Sequence, residues 1–326
     1  MHKRFVNQCT LDISLIPNGP VMVKSGKEGA DPTKPSMEFV ETFHAGGRSI
    51  YFPGSSLKGA IRAHAERIVR TIGSDTAPSG DVLKDKKEQP LWASDPLKLD
   101  GYKYLEEAKD SAMLYRWSSF TDQLFGSIEI ASRLRISDAY PVDVNQVVTE
   151  ERNGVAIDRV FGSVAVGPFD YQVCTAGEFR TKIHLKNFTL AQLGLIGLVL
   201  RDLDDGWFGL GFAKSRGMGL VAVKLNQAVI EYPGCVLEGK QIRLLGGDRA
   251  TWPNNTLLGA GAFLSTDDRE AYGFPESDEQ TSAISGEEMD YGLGVRMIWP
   301  EEAQVKDLFR LAVSAWRSRL TAGATS

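Results

Sequence analysis

Residues 190–203 are apolar on nearly every side, with Leu193, Leu195, Ile196, Leu198, Val199 and Leu200 crowded into one stretch of helical length. A helix without a polar face has to be enclosed, so this segment predicts a buried helix at the centre of the fold. Strand patterns flank it. Val173 to Leu185 reads as a strand before it, and Leu220 to Leu225 as one after it, with a glycine-rich loop at 206–219 between. Earlier in the chain, residues 5–16 alternate most clearly from Leu11 onward, and a short strand at 49–52 leads into Pro53-Gly54-Ser55-Ser56. A helix then runs to about Ile72, with Ser55 as its expected N-cap and Leu57, Ile61, Ala65, Ile68 and Val69 as its buried stripe. Leu134, Ile136 and Ala139 mark a further strand. The order strand, helix, strands, strand, helix, strand suits one or two ferredoxin-like β-α-β-β-α-β units, an α+β class.

Around this frame lie less regular segments. Residues 17–47 form a long loop with a short strand near 37–43, and 73–115 read as a polar, lysine-rich surface insertion. The last helix repeats Val305, Leu308, Phe309, Ala312, Trp316 and Leu320 along one stripe, suited to docking on the core or on a partner. The 326 residues are long enough for two ordinary domains or one elaborated core. No run approaches the roughly 18 apolar residues of a membrane span, and the start lacks the apolar stretch of a signal peptide; no membrane partner and a cytoplasmic location are expected. Cys9, Cys174 and Cys235 lie far apart without a Cys-x-x-Cys pair, so no zinc is expected.

The net charge of −5 argues against a nucleic-acid partner until its distribution is considered. Residues 244–302 hold 12 acidic residues against three arginines, a net of −9, which leaves +4 for the rest of the chain. Lys24 to Arg70 carries a local +3, and phosphate binding follows the local field. In Phe52-Pro53-Gly54-Ser55-Ser56-Leu57-Lys58-Gly59-Ala60-Ile61-Arg62 a Pro-Gly turn delivers a helix N-terminus, where free N–H groups favour an anion. Ser55 and Ser56 can donate to phosphate, and Lys58 and Arg62 share one helix face. An ordinary capped helix with a basic outer face explains the same residues. The spacing of a nucleotide-hydrolysing P-loop is absent. Gly209 to Gly219, with Lys214, Ser215 and Arg216 at its centre, suits a loop lying against a polyanion, or simply a tight hairpin.

These segments, together with Leu-Phe-Gly-Ser at 124–127, Ser-Arg-Leu-Arg-Ile-Ser-Asp-Ala at 132–139 and Gly-Val-Ala-Ile-Asp-Arg at 154–159, occur in an order that resembles the RAMP superfamily of CRISPR-associated proteins. Within it they most resemble the repeated backbone subunits of type III (Csm- and Cmr-type) effector complexes. The likeness spans roughly residues 5–226; residues 227–326 form an acidic extension ending in the amphipathic helix.

The resemblance implies an RRM-like, ferredoxin-like core over 1–226 with an insertion at about 73–115. It also implies a thumb hairpin at about 140–172 that interrupts the guide–target duplex. Implied partners are CRISPR RNA, target RNA, other RAMP subunits and a large signature subunit. Catalytic members use an aspartate shortly before the Pro-Gly-Ser-Ser-Leu-Lys-Gly motif for metal-dependent cleavage of target RNA. Asp31 occupies the matching place, where it could hold Mg²⁺ or another divalent cation; Glu28 is an alternative carboxylate, and a plain turn before Pro32 explains Asp31 as well. Lys24, Lys27 and Lys34 would neutralise charge at the phosphorus. Arg133 and Arg135, two apart on a strand, would face the RNA backbone together, or simply pair with Asp138 at the surface, and Val160, Phe161 and Val164 are candidates for the thumb tip or for core packing. His44 and His64 could serve acid–base chemistry in a guide-processing endoribonuclease, although His64 falls beside the buried stripe. A non-catalytic structural RNA-binding subunit, at the end of a filament, is the remaining alternative.

Overall fold

The computed structural model describes residues 4–25, 35, 37–44, 47–84, 90–246 and 250–322. The elements that carry its architecture are β1 (Gln8–Pro17), α1 (Gly54–Ile72), β2 (Leu134–Ile136), β3 (Val148–Ile157), β4 (Val164–Ala176), β5 (Phe179–Lys186), α2 (Leu190–Asp204), β6 (Val221–Tyr232), β7 (Val295–Trp299) and α3 (Glu302–Ala322). Strands β6, β1, β5 and β2 lie side by side in that order, and every pair is antiparallel. With α1 between β1 and β2, and α2 between β5 and β6, they form the expected ferredoxin-like unit. The β3–β4 hairpin is inserted between β2 and β5.

Period-two alternation sets which face of the sheet is covered. Cys9, Leu11, Ile13 and Leu15 of β1 point into the core, and Thr10, Asp12 and Ser14 take the opposite face. Leu11 pairs with Ile183 and Ala228, so a one-residue slip would turn apolar rows to water on three strands at once. Leu57, Ile61, Ala65 and Val69 of α1 close over this core. The α2 N-terminus is held by a reciprocal capping box, in which the Thr189 hydroxyl accepts from the Gln192 N–H and the Gln192 side chain accepts from the Thr189 N–H. Helix α3 approaches α2 closely because α2 offers glycines there. A Cβ on Gly194 would lie 2.7 Å from the Ala312 carbonyl oxygen, and one on Gly197 would lie 2.6 Å from the Phe309 ring.

Several elements differ from the expectations. The single strand expected at 173–185 is the end of β4 and the whole of β5, divided at Gly177 with φ +132°. Ser55 does not cap α1. The N-cap position is Pro53, without a side-chain acceptor, and the Gly54 N–H donates instead to Asp138 Oδ1 at 2.7 Å. The polar 73–115 segment holds Leu83, Tyr102 and Leu105, which bury with Trp117 in a small satellite core where the Trp117 indole donates to the Leu83 carbonyl at 2.7 Å. The boundary expected at 226 falls inside β6, and the acidic region supplies β7, which pairs with β6 and extends the main sheet.

Candidate nucleic-acid interface

Helix α1 starts where the sequence motif places it. Gly54 lies so close to the chain after β2 that a Cβ there would be 2.2 Å from the Ile136 carbonyl oxygen, so the Pro-Gly turn is a packing requirement. Ser55 and Ser56 stand exposed in the first turn. Lys58 donates from Nζ to Ser132 Oγ at 2.8 Å, and burial, helped by neighbouring Arg62, holds its pKa below the usual lysine range.

Arg62 is half-buried with its donors engaged inside the chain, which differs from the free cation expected for an RNA contact. Its Nε donates to Glu66 at 2.7 Å, its Nη1 to the Gly126 carbonyl at 2.8 Å and its Nη2 to Asp122 Oδ1 at 2.8 Å. Asp122, 0% exposed, also accepts from the hydroxyls of Ser94, Ser119 and Tyr102. The guanidinium therefore clamps α1 to the Leu-Phe-Gly segment. Arg133 needs the same correction. It sits in a bend just before β2 and turns inward, donating from Nη1 to the Tyr115 hydroxyl at 2.8 Å and to the Asn187 carbonyl at 2.7 Å, with its guanidinium 4.0 Å from the Tyr115 ring centroid. Burial lowers its pKa. Arg135, within β2, is exposed, so the two arginines do not share a face.

The glycine-rich loop is fastened to the segment that carries Lys24. Phe212 N–H donates to the Met22 carbonyl and Gly219 N–H to the Pro20 carbonyl, both at 2.8 Å. Gly211, at φ +78°, passes so close that a Cβ would lie 2.0 Å from the Met22 oxygen. Lys214, Ser215 and Arg216 are all exposed on one 3-10 turn, and the Arg216 guanidinium stands 5.0 Å from the Phe212 ring centroid. The same segment pairs with the base of the hairpin through Val21 and Cys174, and through Met37 and Tyr171. Lys24, the glycine-rich loop and the hairpin base thus form one connected surface. Asp31, Lys27, Lys34 and Glu28 lie outside the described residues.

The β3–β4 hairpin ends in a turn fixed by Asp158, whose carboxylate accepts from the Val160 and Phe161 N–H groups at 2.8 Å each. These two bonds hold its pKa below the usual range. Val160 is 81% and Phe161 84% exposed, and Val164 is exposed beside them, so the core-packing alternative for these residues is excluded. His64 is buried, with Nε2 2.8 Å from Asp202 Oδ2 and its ring stacked on Phe208. His44 is exposed and stacks on Tyr140 with ring centroids 3.7 Å apart. Burial pushes the Cys174 thiol up to about 11 and that of Cys235 to about 12, which keeps both protonated. Among the described residues no three histidine, cysteine, aspartate or glutamate side chains converge as a metal-ligand set.

Strand β5 carries a second row of cations. In Phe179-Arg-Thr-Lys-Ile-His-Leu-Lys186 every second residue is basic and points away from the core. The apolar members of that alternation define the strand, and its basic face is legible in the same eight letters.

The fold and these surfaces define a ferredoxin-like α+β protein with exposed cationic loops and a projecting apolar-tipped hairpin. A family model for the RAMP superfamily matches residues 17–222, and the chain belongs to that superfamily. RAMP proteins are CRISPR-associated, typically bind RNA and act in multi-subunit complexes, which gives this chain a CRISPR-associated RNA-binding role. No curated protein matches the chain. Among the described residues, no helix is long and apolar enough to cross a membrane.

Proposed function

We propose that this chain is a CRISPR-RNA-binding backbone subunit of a type III effector complex, and that Asp31 supports metal-dependent cleavage of the guide-paired target RNA. The observation that carries the backbone reading is the hairpin. Val160 and Phe161 stand in solvent at its tip, where burial within the chain offers them nothing and insertion between bases would cover them. The surface of Lys24, Lys214, Ser215 and Arg216 at the hairpin base supports contact with the guide backbone, and Ser55 and Ser56 at the α1 start offer phosphate a second contact.

Magnesium is commonly held by one or two carboxylates together with the substrate's own phosphates; Asp31 would supply a carboxylate of that kind. The guide-processing alternative loses its helix histidine, because His64 is engaged in the interior with Asp202. The test is target-RNA cleavage by the assembled complex with Mg²⁺, wild type against Asp31→Ala. Loss of one cut in the ladder with guide binding intact supports the catalytic assignment. An unchanged ladder makes the subunit a scaffold and removes Asp31 from the chemistry.

A further inference from the structure

We infer that the uncovered face of the ferredoxin-like sheet is a second RNA-backbone contact surface, built by Arg135, Lys182, Lys186 and Lys224 around His184. The inference rests on the RNA-binding role and adds a site to it. Strand β5 turns Phe179, Thr181, Ile183 and Leu185 to the core, and Arg180, Lys182, His184 and Lys186 outward. Register brings the neighbouring strands' polar residues onto that same face. His184 lies between Arg135 of β2 and Thr10 of β1, Lys182 lies opposite Asp12, and Lys186 opposite Gln8. Lys224 of β6 lies opposite Ser14.

Cations of β2, β5 and β6 thus flank the polar row of β1 on this face. Its acids are few: Asp12 accepts from Arg180 at 2.7 and 3.0 Å and from Asn226 at 3.1 Å, while Glu231 lies on β6 between Gln8 and Arg296. Arg135, Lys182, Lys186 and Lys224 are exposed, and each has no carboxylate partner among the described residues. Of the four, Lys182 alone has an acid directly opposite, Asp12, and that carboxylate is held by Arg180, so cross-strand pairing does not account for the row of cations. Burial first, and then the neighbouring Arg135 and Lys182, holds the pKa of His184 below its usual range.

Three arguments identify the occupant as RNA backbone. Alternate residues of a strand are about 6.7 Å apart, a spacing suited to successive phosphates of an extended nucleic acid strand. The face carries Thr10, Asp12, Ser14 and Asn226 among its cations, and its edge ring, Tyr140 opposite Arg180, is already stacked on His44 and Tyr51, so the contacts it offers are to charge rather than to bases. It also adjoins the α1 start. Asp138, just beyond β2, receives the Gly54 N–H, and Phe52 pairs with Ala139, so one strand leads from the cationic face to the exposed serines.

The test uses the full chain and a fluorescently labelled single-stranded RNA, titrated over a range of salt. The triple variant Arg135→Gln/Lys182→Gln/Lys186→Gln is compared with Lys214→Gln/Arg216→Gln, and Lys182→Gln alone guards against misfolding of the triple. Each single-strand phosphate contact contributes about 0.7 to the slope of log K against log salt, so the triple should lower that slope by about 2 and the affinity some tens-fold near physiological salt. Lys182→Gln should lower the slope by about 0.7. If the sheet variants keep wild-type affinity and slope while the loop variant weakens, the sheet-face site is wrong and the RNA-binding reading stands. If the sheet variants change only self-association in sedimentation, the face is a protein contact and the inference is overturned. If the wild-type chain binds no RNA, both readings fall.

Discussion

Replacing Arg62 with methionine separates a structural role from an RNA-binding one. The side chain of Arg62 is 19% exposed and that of Asp122 is fully buried, with the pair closed at 2.8 Å. Methionine keeps much of the aliphatic stem but removes the donors to Asp122, Glu66 and the Gly126 carbonyl. Asp122 keeps the hydroxyls of Ser94, Ser119 and Tyr102, and Glu66 keeps Arg70 at 3.3 Å, so neither carboxylate loses every partner. Breaking a buried pair costs about 3–5 kcal/mol; allowing for the remaining hydroxyls and for solvent reaching Arg62, we expect a loss of about 2–4 kcal/mol. The assay is urea unfolding of the full chain, read as a shift in midpoint at unchanged slope. Adding Asp122→Asn to Arg62→Met removes the unpaired charge and should recover part of the loss. The salt dependence of RNA binding should stay as in the wild type. A stability loss under about 1 kcal/mol together with a reduced salt slope would refute the reasoning and return Arg62 to the RNA surface.

Three further outcomes are expected. Asp138→Ala should cost about 1 kcal/mol by uncapping α1, whereas Ser55→Ala should stay within about 0.5 kcal/mol; thermal melts of the two variants decide which residue is the cap. Phe161→Ser should leave the melt unchanged, because the ring is exposed, while 2-aminopurine placed in the target RNA should lose its unstacking signal in the assembled complex. The folded pKa of His184 lies below its ordinary 6.5, so the unfolded chain takes up that proton first as pH falls. The contribution of His184 is thus fully present above pH 6.5 and is lost as pH drops below it; His184→Gln should flatten that part of a urea-midpoint profile measured on both sides of 6.5.

The parts of the fold that were legible in the sequence share one property, a regular period carried by apolar residues. The stripe of α1, the all-round apolar α2 and the row Val305, Leu308, Phe309, Ala312 and Trp316 each declare a buried face. What escaped depends on partners distant in the chain. The acceptor at the α1 start is Asp138, 84 residues beyond Gly54, and no local rule could have preferred it to Ser55. Arg133 and Arg135 have the right parity for one face, but parity holds only inside a strand, and Arg133 stands just outside β2. Strand β7 is only Val-Arg-Met-Ile-Trp, a short alternation within an acidic surround, and its place beside β6 is decided by pairing. In the candidate site, the exposed Lys214–Arg216 turn could be found from glycine spacing, whereas the burial of Arg62 required Asp122 and Gly126 to be in position.

The strand supplied from the acidic region has a consequence for how copies of this chain can meet. Without β7, the twelve-residue β6 would form the margin of the sheet and present a long row of unpaired N–H and carbonyl groups, open to pairing with any extended chain. As built, the margin beyond β7 is the two-residue strand Glu287–Glu288, both exposed, and the opposite side ends in the three-residue β2 and the Tyr140–Pro141 pairing. Neither of these margins is long enough to template a new strand. Copies therefore find no long strand margin on the main sheet to extend, and among the described residues the long open backbone edges lie on the projecting β3–β4 hairpin instead.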